Sequence, residues 1–365
     1  MAAPATSRPF HLPLDTLTHA LSGALCARAT APRHEPGVTL PVWRRVLVGA
    51  CAATFPDLDF VAGYISPLTY LQLHRGITHS FVMLPVWTLL LAWIASKVWR
   101  DGLGMKPYLA VIALGLGLHI VGDWITSFGT MFLAPLSDRR FALSTTFIID
   151  LFVTGIIVAG LLGSALWRRS CVPSVAAMLT LAGYVAFQGL MRQQAIEFGM
   201  VYAKSAGLGA ARVDAIPRPV SPFNWFVVVE QGDRLDTTSI NLVRAEPRVA
   251  APDAGFLERL SAPYRPLALA EWSRFDRFGQ EPRAGAIAQE AFSSQALGVF
   301  RWFADYPVLQ RVDVDGGRTC AWFRDLRFVT PGRDIIPFQY AACRVENGPW
   351  EPWELDEAGG MRPLR

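Results

Sequence analysis

Four short stretches in the first half of the chain carry the residue types and spacings of a metal site: Asp15-x-x-Thr18-His19, Pro56-Asp57-Leu58-Asp59, His74-Arg75-Gly76-Ile77-Thr78-His79-Ser80, and His119-x-x-x-Asp123-x-x-Thr126. Each lies in or beside a strongly apolar run. Carboxylates and imidazoles in such a setting are costly, by several kcal/mol each, unless they face one another, water or a cation. Asp15 and His19 are four residues apart, as are His119 and Asp123, so on a helix each pair shares a face. Of the six histidines, four have carboxylate neighbours in the apolar half and none follows residue 119. A shared divalent cation is the simplest way to keep so many acids in lipid.

Imidazole and carboxylate donors without cysteine suit Zn²⁺, with Mn²⁺ or Fe²⁺ as alternatives; oxygen donors alone would suit Mg²⁺ or Ca²⁺. The expected ligands are His19, Asp57, His74, His79, His119 and Asp123, with Asp15 and Asp150 in reserve. That is more than one tetrahedral ion uses, so two ions, or one ion with an outer layer of partners, fit better. Such an ion lowers the pKa of a bound water toward ~7 and supplies a nucleophile. Asp57 or Asp59, where not both are ligands, is the candidate general base, Asp59 first. Arg75 could steady an oxyanion or a phosphate. Thr18, Thr78 and Thr126 adjoin proposed ligands, or follow them by three, and could orient them. Each residue also has a plainer reading: an interhelical hydrogen bond for a lone Asp or His, a helix-end cap for Asp59, a solvated loop pair for Arg139 and Arg140. The sequence has no HExxH, which argues against a zincin-type protease.

These residues need helices to position them. Hydrophobic residues make up 52% of the 365 and charged residues only 18%, with a mean hydropathy of +0.28. The long apolar runs fall in the first two hundred residues. They predict helices over 14–29, 46–65 (interrupted at Pro56), 78–98, 107–127, 145–167 and 173–204. Ala20, Gly23, Ala24 and Ala27 permit close packing of the first, and Gly115, Gly117 and Gly122 thin the fourth. The expected fold is a mainly α membrane protein. About five to six transmembrane or re-entrant helices over 14–205 precede a small soluble α+β domain over 206–365, and residues 1–13 read as a disordered N-terminus with no signal peptide. In the last part, 217–222 reads as a stiff proline linker, 225–230, 237–243 and 336–345 as strands, and 284–306 as helix. Asp315-Gly316-Gly317 reads as a hairpin turn between 308–314 and 320–329.

The net charge of +4 is modest, and its arginines flank apolar runs. This pattern speaks for a lipid bilayer as partner and against nucleic acid. Arg44/Arg45, Lys97/Arg100/Lys106 and Arg168/Arg169 mark three cytoplasmic ends, which puts the acids, the histidines and the last domain toward the outer face. Arg75, Arg139 and Arg140 are exceptions there, and an anionic substrate would account for them. Cys26, Cys51 and Cys171 read as small buried hydrophobes. Cys320 and Cys343 could pair in an oxidising compartment, which the sequence leaves open.

In order and spacing the four stretches resemble the YdjM-type family of inner-membrane-associated, predicted metal-dependent hydrolases. The resemblance covers about 14–150, with Gly129 following the last motif; Asp325-Leu326-Arg327-Phe328 resembles part of a C-terminal region found in longer members. It implies metal-dependent hydrolysis at a membrane. The family's likeness to zinc-dependent phospholipase C points toward phosphoesters. The expectation is therefore an inner-membrane, metal-dependent hydrolase acting on an ester, first a phosphoester, of a lipid or lipid-linked substrate at the outer face. The alternatives are a metal or proton transporter and a non-catalytic scaffold built on a structural metal. Substrate, metal count and oligomeric state stay open.

Overall fold

The computed structural model describes residues 14–32, 35, 38–100, 102–251, 253–333, 336–355 and 360–364. The segment expected to be a disordered N-terminus, 1–13, lies outside the described residues. The chain divides into two compact units. One takes the residues up to Ala142 with Leu151–Gly183; the other takes Leu143–Asp150 with Tyr184–Arg365.

The first unit is helical. In order it holds α1 (Leu14–Ala29), α2 (Val42–Thr54), a 3-10 helix (Pro56–Tyr64), α3 (Pro67–Leu73), a 3-10 turn (Ile77–His79), α4 (Leu84–Val98), α5 (Lys106–Trp124) and α6 (Leu151–Leu166). The last helix, α7 (Val172–Ser205), contributes its residues up to Gly183 here. Pro56 stops α2, because a proline has no N–H for the helical ladder and clashes with the preceding turn. Pro67, Pro85 and Pro107 instead open helices, where a missing N–H is harmless. Ser66 caps α3 by accepting from Thr69 N. Two helices start about six residues later than expected: α4 begins at Leu84, after the 3-10 turn, and α6 at Leu151. Before α6, the β-branched Thr145, Thr146, Ile148 and Ile149, with Phe147 among them, favour extended chain.

α1, α2 and α5 meet at glycine. A Cβ on Gly23 would lie 2.3 Å from Gly49 O, one on Gly49 would lie 2.7 Å from Gly23 O, and one on Gly115 would lie 2.9 Å from Gly49 O. A Cβ on Gly117 would meet only Leu84 Cδ1, at an ordinary 3.7 Å, so that glycine thins nothing. Ala27, Val48, Ala52, Ala92, Ile112 and Leu116 fill the core beside this crossing. At the far end of α1, buried Arg45 donates to Ala27 O and Thr30 O, and buried Arg28 donates to Arg168 O and Ser170 O. Both therefore satisfy carbonyls in and after helix C-termini.

Val42–Tyr64, Lys106–Trp124 and Val172–Ser205 are long and apolar enough to cross a membrane, and the bent pair Pro67–His79 with Leu84–Val98 would make a fourth span. Among the described residues three or four helices thus qualify as spans by length and composition, fewer than the five to six transmembrane or re-entrant helices expected. α1 and α6 have 16 residues each, about 24 Å of rise, short of a ~30 Å hydrocarbon core.

The second unit is built on two sheets. In one, β1 (Arg212–Pro217), β2 (Asn224–Gln231), β3 (Arg234–Asn241) and β4 (Arg265–Pro266) lie side by side, and β5 (Ser273–Asp276) also pairs β3. The other is a meander of β6 (Pro307–Asp315), β7 (Arg318–Asp325), β8 (Gln339–Val345), β9 (Glu351–Leu355) and β10 (Met361–Pro363). Gly316 and Gly317 turn β6 into β7 with φ of +54° and +79°, the two left-handed positions of a tight hairpin. The helix expected over 284–306 breaks after Ser293 into two, Pro282–Ser293 and Gly298–Phe303. The expected proline linker is not a linker. Its first proline ends β1, and Arg218 is buried, donating to Arg327 O and Leu326 O. Asp325 accepts from the N–H groups of Asp305 and Arg327, and Arg327 donates to Phe303 O, so the Asp-Leu-Arg-Phe stretch is an internal brace. Cys320 and Cys343 face each other across β7 and β8 and are disulfide-bonded.

Candidate metal centre

Four elements of the helical unit place side chains at one point. The first turns of α1 bring Asp15, Thr16 and His19. The proline break after α2 turns Asp57 and Asp59 inward. The loop before α4 supplies His74, Arg75, Thr78 and His79. The last turn and a half of α5 carries His119 and Asp123. Three overlapping sets have one donor atom from each residue within 4.8 Å of the others: His19, Asp57 and His119; His79, His119 and Asp123; Asp15, His19 and Asp123. His79 Nε2 and His119 Nε2 are 2.9 Å apart. Asp123 Oδ2 is 3.1 Å from the first and 3.4 Å from the second. Asp57 Oδ1 is 3.7 Å and 3.5 Å from the same two nitrogens. His19 Nε2 is 3.3 Å from Asp123 Oδ1. His79, His119 and Asp123 are at most 1% exposed.

Hydrogen bonds fix which imidazole nitrogens are free. His119 Nδ1 is 2.6 Å from Ala53 O, an acceptor, so this nitrogen holds the proton. Thr78 Oγ1 donates to Asp59 Oδ2 at 2.9 Å and accepts from His79 Nδ1 at 2.9 Å, so His79 too is protonated at Nδ1. Nε2 is then the nitrogen that each ring turns inward, and the two Nε2 atoms face each other. Among the described residues, Asp123 Oδ2 beside them and Asp15 Oδ1 nearby accept no hydrogen bond. Two inward-facing ring nitrogens beside several carboxylate oxygens are a donor set that fits a cation.

A second layer surrounds it. Thr16 Oγ1 donates to Asp57 Oδ2 at 2.7 Å, leaving Oδ1 toward the histidines. Asp59 accepts from His74 Nδ1 at 2.7 Å and from Arg75 N at 3.1 Å, besides Thr78. His74 thus stands back from the three donor sets, its ring stacked on Tyr70. The guanidinium of Arg75, 1% exposed, lies 2.9 Å from Asp123 Oδ1 and donates to Thr126 Oγ1 at 2.7 Å. Arg75 adopts φ +60° to reach inward, a left-handed conformation that is costly for a side-chain-bearing residue. Arg140 donates to Phe128 O and Gly129 O, and Arg139 lies over the Phe141 ring. A Cβ on Gly122 would be 2.9 Å from His19 Cε1, so this glycine leaves room for the imidazole.

Of the candidates, His19, Asp57, His79, His119 and Asp123 come together, with Asp15 at their edge. Asp59, His74 and Arg75 touch them from outside. Asp150 belongs to the second unit, where it accepts from Tyr184 OH and Gln188 Nε2. Sequence reasoning passed over Thr16 and the Ala53 carbonyl. The first was legible only as a hydroxyl next to Asp15; the second has no side-chain signature. A cleft of about 330 Å³ opens beside the cluster, and Asp59 and Thr78 are among its lining residues.

The chain is 26% identical over 186 residues to the uncharacterized protein YfhP of Bacillus subtilis (strain 168), covering 49% of this chain and 55% of that protein. It thus spans about half the length of this curated relative. No solved structure matches. Residues 14–195, which hold all four motifs, match the family described as YdjM inner membrane protein, and through them the chain belongs to the YdjM family.

Proposed function

We propose that this protein is a membrane-embedded hydrolase that uses a divalent transition metal, Zn²⁺ by its donor set, to cleave an ester in a lipid or lipid-linked substrate. The reading rests on one observation: His79 Nε2 and His119 Nε2, each turned inward by its ring's own Nδ1 contact, converge at 2.9 Å beside carboxylate oxygens of Asp57 and Asp123. His19, Asp57, His79, His119 and Asp123 would hold one or two ions. Bound there, such an ion supplies Lewis acidity and makes a water acidic enough to ionise near neutral pH. The surrounding residues have separate tasks. Asp59 orients His79 through Nδ1 and is the carboxylate that also lines the cleft, which suits it to take a proton from the attacking water. Arg75 is committed to Asp123 and Thr126. Its task is to hold Asp123 in place and balance the site's charge.

A translocation path is less well supported. Toward the Arg45 end the buried helical core is largely apolar, with Val48, Ala52, Ala92, Val111, Ile112 and Leu116, and Tyr108 and Thr88 among its few polar side chains. A conducting path needs polar groups through the membrane depth. The inner-membrane family and the apolar helices support the membrane setting. The outward orientation of the site is our reading of the Lys/Arg distribution.

The test is elemental analysis of detergent-purified protein. One or two equivalents of a transition metal are expected per chain. His79→Ala or Asp123→Ala should reduce this by more than about tenfold without loss of helical circular dichroism, since each removes a direct donor. Metal content unchanged in both variants would overturn the assignment. Ester hydrolysis lost together with the metal would carry the reading from site to enzyme.

A further inference from the structure

The cleft beside the cluster has a chemistry of its own. Leu73, Ile77, Met131, Ala134 and Pro135 give it apolar walls. Leu73 and Ile77 are 50% and 44% exposed at its rim. Its polar lining is Gln72, Thr78, Ser137, Asp59 and Asp138; no lysine, arginine or histidine lines it among the described residues. The three arginines nearest in sequence are engaged elsewhere: Arg75 with Asp123, Arg140 with backbone carbonyls, and Arg139 over Phe141. Asp59 lies one imidazole from the donor atoms, its Oδ2 3.3 Å from His79 Nδ1. A molecule seated in the cleft therefore presents its inner end toward the proposed centre while its outer length touches apolar wall.

We infer, building on the hydrolase reading, that the cleft takes an amphiphile whose bound part is a hydrocarbon chain followed by an uncharged or cationic group, such as an acyl ester or an amine-bearing head. Two carboxylates in a half-enclosed apolar cleft repel an anion and attract a cation, and the low local dielectric sharpens both effects. An anionic phosphate head would find no basic side chain on these walls among the described residues, only the neutral donors of Gln72 and Ser137. This narrows the substrate away from the acidic phospholipids that the outer-face arginines alone would suggest. Hydrolysis of a carboxylic ester there needs only water as co-reactant: the acyl carbon gains the hydroxyl oxygen, its bond to the alkoxy oxygen breaks, and the departing alcohol takes the proton.

The test uses the full chain in detergent micelles and three photoreactive dodecyl probes that differ only in the head: glycerol ester, trimethylammonium and phosphate. Crosslinks are mapped by mass spectrometry to 72–78 and 131–138. The glycerol ester and ammonium probes should label these peptides about tenfold more than the phosphate probe, a modest charge preference. Asp138→Lys, at an exposed position, should raise the phosphate share severalfold. Equal or stronger labelling by phosphate in the native chain, or a ratio unmoved by Asp138→Lys, overturns the inference. Hydrolysis of the glycerol ester is followed in parallel, with His79→Ala as control. If the labelling order holds and no ester is cleaved, the hydrolase reading fails and the cleft assignment stands. If cleavage depends on His79 and the labelling order fails, the cleft assignment falls alone.

Discussion

At the scale of single residues, the centre depends on small ones as much as on its donors. Gly122 is one helical position from Asp123, and a methyl group there would press on His19 at 2.9 Å. Gly122→Ala should keep all five donors and still weaken metal binding about 10–100-fold, the usual effect of disturbing a ligand's support. Chelator competition measures this, and an unchanged affinity would mean that His19 is not a ligand. The donors themselves were legible in sequence because histidine and aspartate recurred at i, i+4 and at a proline break, where lipid tolerates them only in company. The division of labour among them was not. Nothing in the spacing of His74 and His79 distinguishes the ring that turns to Asp59 from the ring that meets His119; that choice is made by Thr78 and by the left-handed backbone at Arg75.

At the scale of elements, the close crossing of α1, α2 and α5 brings Asp15, His19, His119 and Asp123 within reach of one another. Gly49→Val should destabilise the helical unit by about 1–3 kcal/mol or more, as overpacking does where backbone cannot yield. Gly117→Ala should be neutral or slightly stabilising, since it meets only ordinary contact and improves helix propensity. Denaturation titrations in mixed micelles compare the two, and equal losses would contradict this geometry. Helix existence was readable from apolar length, and the β6–β7 hairpin from its glycine pair. The late starts of α4 and α6, and the strand hidden before Pro217, were not readable. Extended chain and helix compete closely in short apolar stretches, and partners distant in sequence decide the outcome.

At the scale of the whole molecule, the sheet unit carries a covalent brace between β7 and β8 with Trp322 and Trp353 packed around it. Replacing Cys320 and Cys343 by alanine should lower the unit's stability by about 2–4 kcal/mol, the usual value for a loop of this length, read by tryptophan fluorescence during denaturation. Thiol trapping in intact cells should find the pair oxidised if this unit faces outward, as the distribution of basic residues predicts. A reduced pair would reverse that topology. The two cysteines could be noticed in sequence, but their pairing needed the register of two strands, which only the fold supplies.

The donors run from Asp15 to Asp123 along the chain. Synthesis therefore delivers the acids near residues 15 and 57 long before the imidazole at residue 119 emerges from the ribosome. Until then the early helices carry uncompensated charge and have little reason to settle in lipid. A chain halted before α5 is complete lacks His119 and Asp123, so it should be left unassembled and be cleared by proteases. On the proposed metal reading, loading of the cation would be the final step of biogenesis, and starvation for the metal should show first as loss of the protein itself.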